Sequence, residues 1–462
     1  MHLLLECAKY KKQLLDDSEC ISLSKIFACE KFQGLVQECR VYRNRIFTPL
    51  VTLLIFIKQV LSTDKSCRKA ISDFIAQESI HKNQVIPSLN TGPYCKARQR
   101  IPEETIKELV KVSNEVATKN TPTGWRVYGR EVKLIDGTTI KMADTHENQA
   151  VFPQHSGQSE GVGFPIARLM VILSLSTGTV VDYAVGAYKG KGTGEHSLLR
   201  CIFDSMNEGD ILLGDRYFPS FFLLADLKMK GIDGIFKGQS QRQYDFRQGK
   251  RLAKNDHLVN WKRPRKPEWM DQETYNRYPT EITVREFKVN GNVYVATFMD
   301  SKKYHKKELA RIYLLRWQIE ISLDSIKTVL GMDMLSCKTP EIVRKEIGIH
   351  FLAYNFIRIL IAQACQKHEC IPREVSFKGA LQLLNSFSPY FVSASESESK
   401  IFFSTMLELI VKNKVGNRPN RIEPRALKQR KKAFMMLTRP RDVEREKIKI
   451  KIEKRILKYA SA

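Results

Sequence analysis

No apolar run in the chain approaches the ~20 residues needed to cross a bilayer; the longest, Leu50 to Ile57 and Leu169 to Leu175, have the length of core segments. A membrane-spanning segment is not expected. The opening MHLLLECAKYKK lacks a signal peptide's order of basic, apolar and small-residue regions. Ten cysteines are spread from Cys7 to Cys370 without one C-x2-C pair, which argues against a zinc knuckle and against a secreted disulfide scaffold. A reducing cytoplasm is the expected compartment. There is no G-x4-G-K-[ST] loop to cradle a nucleoside triphosphate, and no internal repeat. Acidic residues are scarce beside basic ones: 50 Asp and Glu against 76 Lys and Arg in 462 residues, a formal charge of +26. With 43% hydrophobic and 27% charged residues the composition is globular, so the excess charge points to a polyanionic partner. Nucleic acid is the first candidate, with a ribosomal or membrane-surface role as the competitor.

What is present divides into stretches of different grammar. Residues 1–120 read as a helical N-terminal domain, with apolar periodicity over Phe47 to Leu61 and Cys67 to Ile75. The segment TGPYCKARQRIP carries Arg98 and Arg100, candidates for DNA contact or members of a solvated basic face. From residue 128 short β-branched runs take over: Val132 to Ile135, Leu169 to Leu175, Thr179 to Val185, Ile211 to Leu213 and Gly234 to Phe236. Helical runs at Ser197 to Met206 and Phe218 to Met229 separate the later ones, which predicts a mixed α/β sheet. Residues 238–300 read as a β-rich insertion whose basic loops include Trp261 and Trp269, suited to stacking an exposed base or to filling a small core. Long helices are expected from His305 to Leu330 and from Ile342 to Gln366. The region 371–462 is basic and mainly helical, for DNA contact or dimerisation; residues 411–462 alone hold 18 Lys and Arg against 5 Asp and Glu.

Chemistry is concentrated in three places. Asp136 follows VKLI and Asp215 follows ILLG, so each carboxylate is expected where a strand ends. Either could be a turn former, yet two in one α/β domain can converge on divalent cations. The third place is YLLRWQIEISLDSIK. At 100° per residue Tyr313, Arg316, Glu320 and Lys327 fall within roughly 60° of one another, while Ile312, Leu315, Ile319, Leu323, Ile326 and Leu330 fill the adjacent arc. A surface helix with an Arg316–Glu320 ion pair would show the same spacing. His155, His196 and Lys191 stand in Gly-containing loops near these motifs, and Glu195 reads as a local helix start.

The interval pattern Tyr, two residues, Arg, three residues, Glu, six residues, Lys resembles the signature of insertion-sequence family 4 DDE transposases. IDGTT at Asp136 and LLGDRYF at Asp215 resemble the family's other acidic motifs, the successive carboxylates being spaced by 79 and 105 positions. The resemblance extends over nearly the whole chain. It implies a ribonuclease H-like catalytic core made by residues 121–237 and completed by the helices of 301–370, with Asp136, Asp215 and Glu320 holding two Mg2+ ions, or Mn2+ in their place. It implies cut-and-paste transposition: hydrolysis at the element's ends, a hairpin intermediate, and transfer of the 3′ ends to target DNA. Tyr313, Arg316 and Lys327 would grip the DNA backbone, with Trp261 or Trp269 against a flipped base. The implied partners are the double-stranded ends of its own element, target DNA and a second protomer, beside the nucleoid of a bacterium. The alternatives are a metal-dependent nuclease that does not join strands and an inactive DNA-binding descendant acting as a repressor.

Overall fold

The computed structural model describes residues 21, 23–39, 46–79, 88–392, 394–416 and 436–460. The N-terminal MHLLLECAKYKK and the basic stretch 418–434 lie outside them.

Six helices open the described chain: α1 (Leu23–Ala28), α2 (Glu30–Gln37), α3 (Pro49–Leu61), α4 (Cys67–Glu78), α5 (Gly92–Arg100) and α6 (Glu103–Lys119). Their boundaries follow local chemistry. Thr48 caps α3 by accepting from the Val51 amide, with Pro49 in the first turn, and Ser66 caps α4 through the Lys69 amide.

Nine strands then form one sheet: β1 (Val132–Lys141), β2 (Ile166–Ser174), β3 (Val180–Ala187), β4 (Ile211–Gly214), β5 (Asp233–Lys237), β6 (Lys250–Ala253), β7 (Asp256–Lys262), β8 (Glu281–Val289) and β9 (Asn292–Ala296). Their order across the sheet is β3-β2-β1-β4-β5-β9-β8-β7-β6. β1, β2 and β3 run as an antiparallel meander, β4 and β5 lie parallel to β1, and β9 returns antiparallel to β5. The β-rich stretch 238–300 therefore extends the central sheet by hydrogen bonding.

Both faces are covered, which is why β2 reads IARLMVILS without polar alternation. One face packs on α6 and the long α13 (Pro340–Lys367). The other packs on α8 (Glu195–Arg200) and α9 (Phe221–Met229), α7 being the short His146–Val151 and α10 the outer Gln272–Arg277. α13 has the length and apolarity of a membrane span, but its residues are buried in this core. Gly348 lets it approach: a Cβ there would stand 2.5 Å from the Tyr183 hydroxyl and 2.6 Å from Ile106. Asn355, fully buried, donates to the Val110 and Val180 carbonyls and to Ser113 Oγ, and accepts from the Val180 amide at 2.7 Å. One amide thus locks α6, α13 and the start of β3 together.

The run expected as one helix from His305 to Leu330 is segmented. α11 (Lys306–Tyr313) passes through a 3-10 turn at Leu314–Arg316 into α12 (Trp317–Asp324), which ends in a π turn over Ser325–Val329. The C-terminal part holds α14 (Phe377–Phe387), α15 (Glu396–Lys412) and α16 (Arg441–Ala460).

Candidate active site at the strand switch point

Asp136 does not close a strand, as the sequence suggested, but sits in the middle of one. β1 continues to Lys141 because β2 pairs with it throughout, Asp136 opposite Val171. On its other edge β1 pairs with β4 only from Val132 to Leu134. β4 ends at Gly214, where a Cβ would meet the Phe236 ring at 2.9 Å and Ile135 at 3.1 Å, and Asp215 follows at once. The edge of β1 is therefore left open at Asp136, beside the carboxyl end of β4. This is the crevice where the sheet changes from antiparallel to parallel, a position that open α/β sheets use for ligands.

The side chains around the crevice come from β1, the end of β4 and the segmented helical run 306–329. Asp136 Oδ1 accepts from the Gly137 amide at 2.9 Å and Asp215 Oδ1 from the Tyr217 amide at 2.8 Å. Burial pushes the Asp136 carboxyl up to about 6; Arg316 and the Gly137 amide oppose the rise, and the negative charges of Asp215 and Glu195 add to it. Arg316 donates to Glu320 Oε1 on the next turn and is itself held charged by Glu320, Tyr313 and Asp136 against the cost of burial. Tyr313, 9% exposed, lies edge-on to Tyr294 at 5.3 Å, and burial raises its hydroxyl's pKa. Lys327 Nζ reaches Thr138 Oγ1 at 3.2 Å, so it contacts β1 two residues beyond Asp136.

Lys327 depends on the π turn. The Leu330 amide donates to the Ser325 carbonyl at 3.0 Å, one residue beyond α-helical register, and Lys65 from the loop before α4 donates to the carbonyls of Leu330 and, at 2.7 Å, Gly331. An N-terminal lysine thus caps the helix end that presents Lys327.

Other residues singled out from the sequence fall elsewhere. Trp261 is 4% exposed, donates its Nε1 to Glu286 Oε1 at 2.8 Å and has the Arg242 guanidinium over its ring at 3.6 Å; it is core of the sheet's outer half. Trp269 is 50% exposed, with Arg200 over its face at 3.7 Å. It borders a cavity of about 280 Å³ shared with His196, Phe222 and Tyr217, the last of these two residues past Asp215 in the chain. Arg98 is buried, its Nη2 3.3 Å from Cys67 Sγ and its guanidinium over the Phe56 and Tyr94 rings, so it faces the helical core; Arg100 is exposed. His196 Nε2 lies 3.1 Å from the Tyr217 carbonyl, and His155 accepts from the Gly157 amide at 3.0 Å.

Among the described residues no three Asp, Glu, His or Cys side chains are drawn together as closely as metal ligands are. The donor set nevertheless fits a hard divalent cation: Asp136 and Asp215 each engage one oxygen with a backbone amide, and among the described residues the other oxygen of each has no hydrogen bond. Burial chiefly, with the negative charge of Asp215 adding to it, raises the Asp136 carboxyl, and a cation held there would oppose both effects.

Residues 128–356 match the family described as transposase DDE domain. The chain is 23% identical to the transposase InsG of insertion sequence element IS4 from Escherichia coli K12 over 355 residues, covering 74% of this chain and 78% of that one. The Escherichia coli transposase of IS421 is 35% identical over 71 residues, 15% of this chain and 19% of that one. Among solved structures, a piggyBac transposase synaptic complex with hairpin DNA aligns at 9% identity with a TM-score of 0.40, covering 92% of this chain and 88% of that one. The family is one of nucleic-acid-cleaving enzymes that use divalent metal ions. Within it, this chain is a DDE transposase of the IS4 type, and its process is transposition of an insertion sequence.

Proposed function

We propose that the protein excises its own element by hydrolysis at the element's ends and joins the freed 3′ ends to target DNA, with Asp136, Asp215 and Glu320 as the catalytic carboxylates. The observation that carries this is the open edge of β1, where Asp136, Asp215 and the Arg316–Glu320 pair meet. The order β3-β2-β1-β4-β5, with its antiparallel meander and parallel pair, supports a ribonuclease H-like core within residues 121–237 and 301–370. We assign 1–120 and 371–462 to DNA contact, the latter also to dimerisation, and 238–300 to an insertion built onto the core sheet.

Two Mg2+ ions, or Mn2+, bound by these carboxylates would activate the attacking oxygen and stabilise the leaving one. The chain's own residues arrange the DNA. Arg316 orients Glu320 and offers its remaining donors to phosphate oxygens, which its planar fork grips bidentately. Tyr313, beside it, contacts the terminal phosphate. Lys327, steadied by Thr138, places its ammonium against the backbone near Asp136. A hairpin intermediate needs a base turned out of the stack. Trp269, exposed beside the cavity that Tyr217 and His196 also line, suits that base; Trp261, engaged with Glu286, does not.

The test is incubation of purified protein with Mg2+ or Mn2+ and double-stranded DNA carrying both element ends, beside Glu320→Ala. Nicks, hairpins and joined strands are expected from the wild type and absent from the variant. Cleavage without joining would make the protein a nuclease, and end binding without products would make it an inactive DNA-binding descendant. Trp269→Ala should lose hairpins while keeping end binding and nicking.

A further inference from the structure

Two thiols and a buried guanidinium meet where α4 and α5 come together. Cys67 is the first residue of α4, and Cys95 lies within α5. Their Sγ atoms are 3.8 Å apart, and Arg98, one turn further along α5, brings Nη2 to 3.3 Å from Cys67 Sγ and 3.8 Å from Cys95 Sγ. Arg98 is 7% exposed, and among the described residues its Nε and Nη1 have no hydrogen-bond partner. The groups whose charge bears on it are Tyr94, Cys337, Cys67 and Cys95, with no carboxylate among them. A buried cation without an anion is costly, so the counter-charge within reach of this guanidinium is a thiolate. Burial raises the Cys67 thiol; Arg98 opposes the rise, as the amino end of a helix also does. Cys337 hydrogen-bonds to Glu346 instead, which leaves Cys67 and Cys95 as the pair. Both are half-buried, open enough to meet a small reagent.

The pair is tied to the crevice through the loop between α3 and α4. Gln59 Nε2 donates to the Lys65 carbonyl at 2.7 Å and lies 3.7 Å from Cys67 Sγ, while its Oε1 accepts from the Tyr94 hydroxyl at 2.8 Å. Lys65 in turn caps the π turn that presents Lys327, through the Leu330 and Gly331 carbonyls. A disulfide needs its sulfurs about 2.05 Å apart, so the 3.8 Å gap must close. Cys95 is fixed inside a helix whose Arg98 lies over the Phe56 ring, whereas Cys67 borders a loop. The movement therefore falls on Cys67 and passes to Lys65, two residues before it.

We infer that Cys67 and Cys95 are a thiol–disulfide exchange site, closed by small disulfides of the glutathione class, and that closing it withdraws Lys65 from the helix end that presents Lys327. The Cys67 thiolate attacks one sulfur of the reagent, which releases one thiolate and leaves a mixed disulfide; the Cys95 thiolate then attacks the Cys67 sulfur and releases the second. Two protein thiols are oxidised to one disulfide, one reagent disulfide is reduced to two thiols, and the two protons pass to the departing thiolates. The exchange stands independently of the transposase reading, whereas its effect on cleavage rests on that reading.

The experiment incubates the full-length protein with oxidised glutathione, alkylates the remaining thiols and maps the non-reduced peptides by mass spectrometry. A Cys67–Cys95 cross-link is expected, and dithiothreitol should reverse it. Cleavage of element-end DNA should fall on the order of 10²-fold in the oxidised protein, the scale of a small misplacement near the chemistry, and return on reduction. Cys67→Ser and Cys95→Ser, active when reduced, should keep their activity in oxidised glutathione. Hydrogen exchange at the Leu330 and Met332 amides, which close the turn on Ser325 and Ile326, should quicken on oxidation of the wild type alone. Absence of the cross-link, a cross-link to Cys337 instead, or mixed glutathione disulfides without one overturns the site. Equal inhibition of either serine variant overturns it too, because one modified thiol would then suffice. A cross-linked protein with unchanged cleavage and unchanged exchange overturns the link to Lys327. If no form of the protein cleaves DNA, the peptide map and the hydrogen exchange still decide the switch, and the transposase reading fails separately.

Discussion

Arg316 has three tasks at once: it pairs with Glu320, lies beside Tyr313 and offsets the charge of Asp136. Lysine could supply the charge but not the planar fork. Arg316→Lys should therefore lose cleavage by roughly 10²- to 10³-fold, the scale of removing one aligned electrostatic donor, while gel-shift binding of element ends changes little. His350 makes a different prediction. It is fully buried in α13, neither ring nitrogen has a partner among the described residues, and burial, with a smaller effect of Lys65, holds its pKa well below 6.5. The unfolded chain binds a proton there that the folded chain refuses. Its contribution is present above about pH 6.5 and is lost as the pH falls toward the folded value. His350→Leu should flatten that acid limb, read as a smaller difference in urea midpoint between pH 7.5 and pH 5.5 than in the wild type.

Secondary-structure elements were readable wherever their period was simple. The runs at 211–213 and 234–236 are strands, and the helix expected over 342–366 is α13. What escaped was anything decided by a partner far away in sequence. Asp136 looked like a strand end because Gly137 breaks the pattern, but β2 carries the strand five residues further. A helical wheel places Lys327 near Glu320 on the assumption of constant twist; the chain instead changes twist at a 3-10 turn and at a π turn. The side chains cluster even so, because Lys65 and Thr138 hold the displaced end. Trp261 was indistinguishable from Trp269 in sequence, since only the register of β7 against β8 sets Glu286 below its indole. The capping by Lys65 is testable. Lys65→Met removes charged hydrogen bonds to two carbonyls, which should cost about 1 to 3 kcal/mol. Denaturant unfolding should record that loss, and Lys65→Arg should restore much of it.

The whole molecule is a charged one, and its positive charge is uneven. Residues 417–462 hold 16 Lys and Arg against 5 Asp and Glu, and the described part of α16 is largely exposed. Ending the chain at Gly416 should weaken non-specific DNA binding and flatten its dependence on salt, because fewer counterions are released. The melting temperature of the remaining protein should hardly move, since the described side chains of α16, 441–454, lie outside the buried core.

The way 238–300 joins the sheet has a consequence for how such chains vary. It leaves from the end of β5 and returns along β9, and Lys237 is paired directly with Tyr294. The part between them, 238–293, therefore leaves and returns at neighbouring points of one ladder, roughly 5 Å apart. A segment anchored in this way can gain or lose hairpins at its outer edge while β5 keeps a partner strand, and the loop-closure entropy changes only slowly with length. Relatives that handle different DNA can differ in size here by dozens of residues without any shift at Asp136 or Asp215.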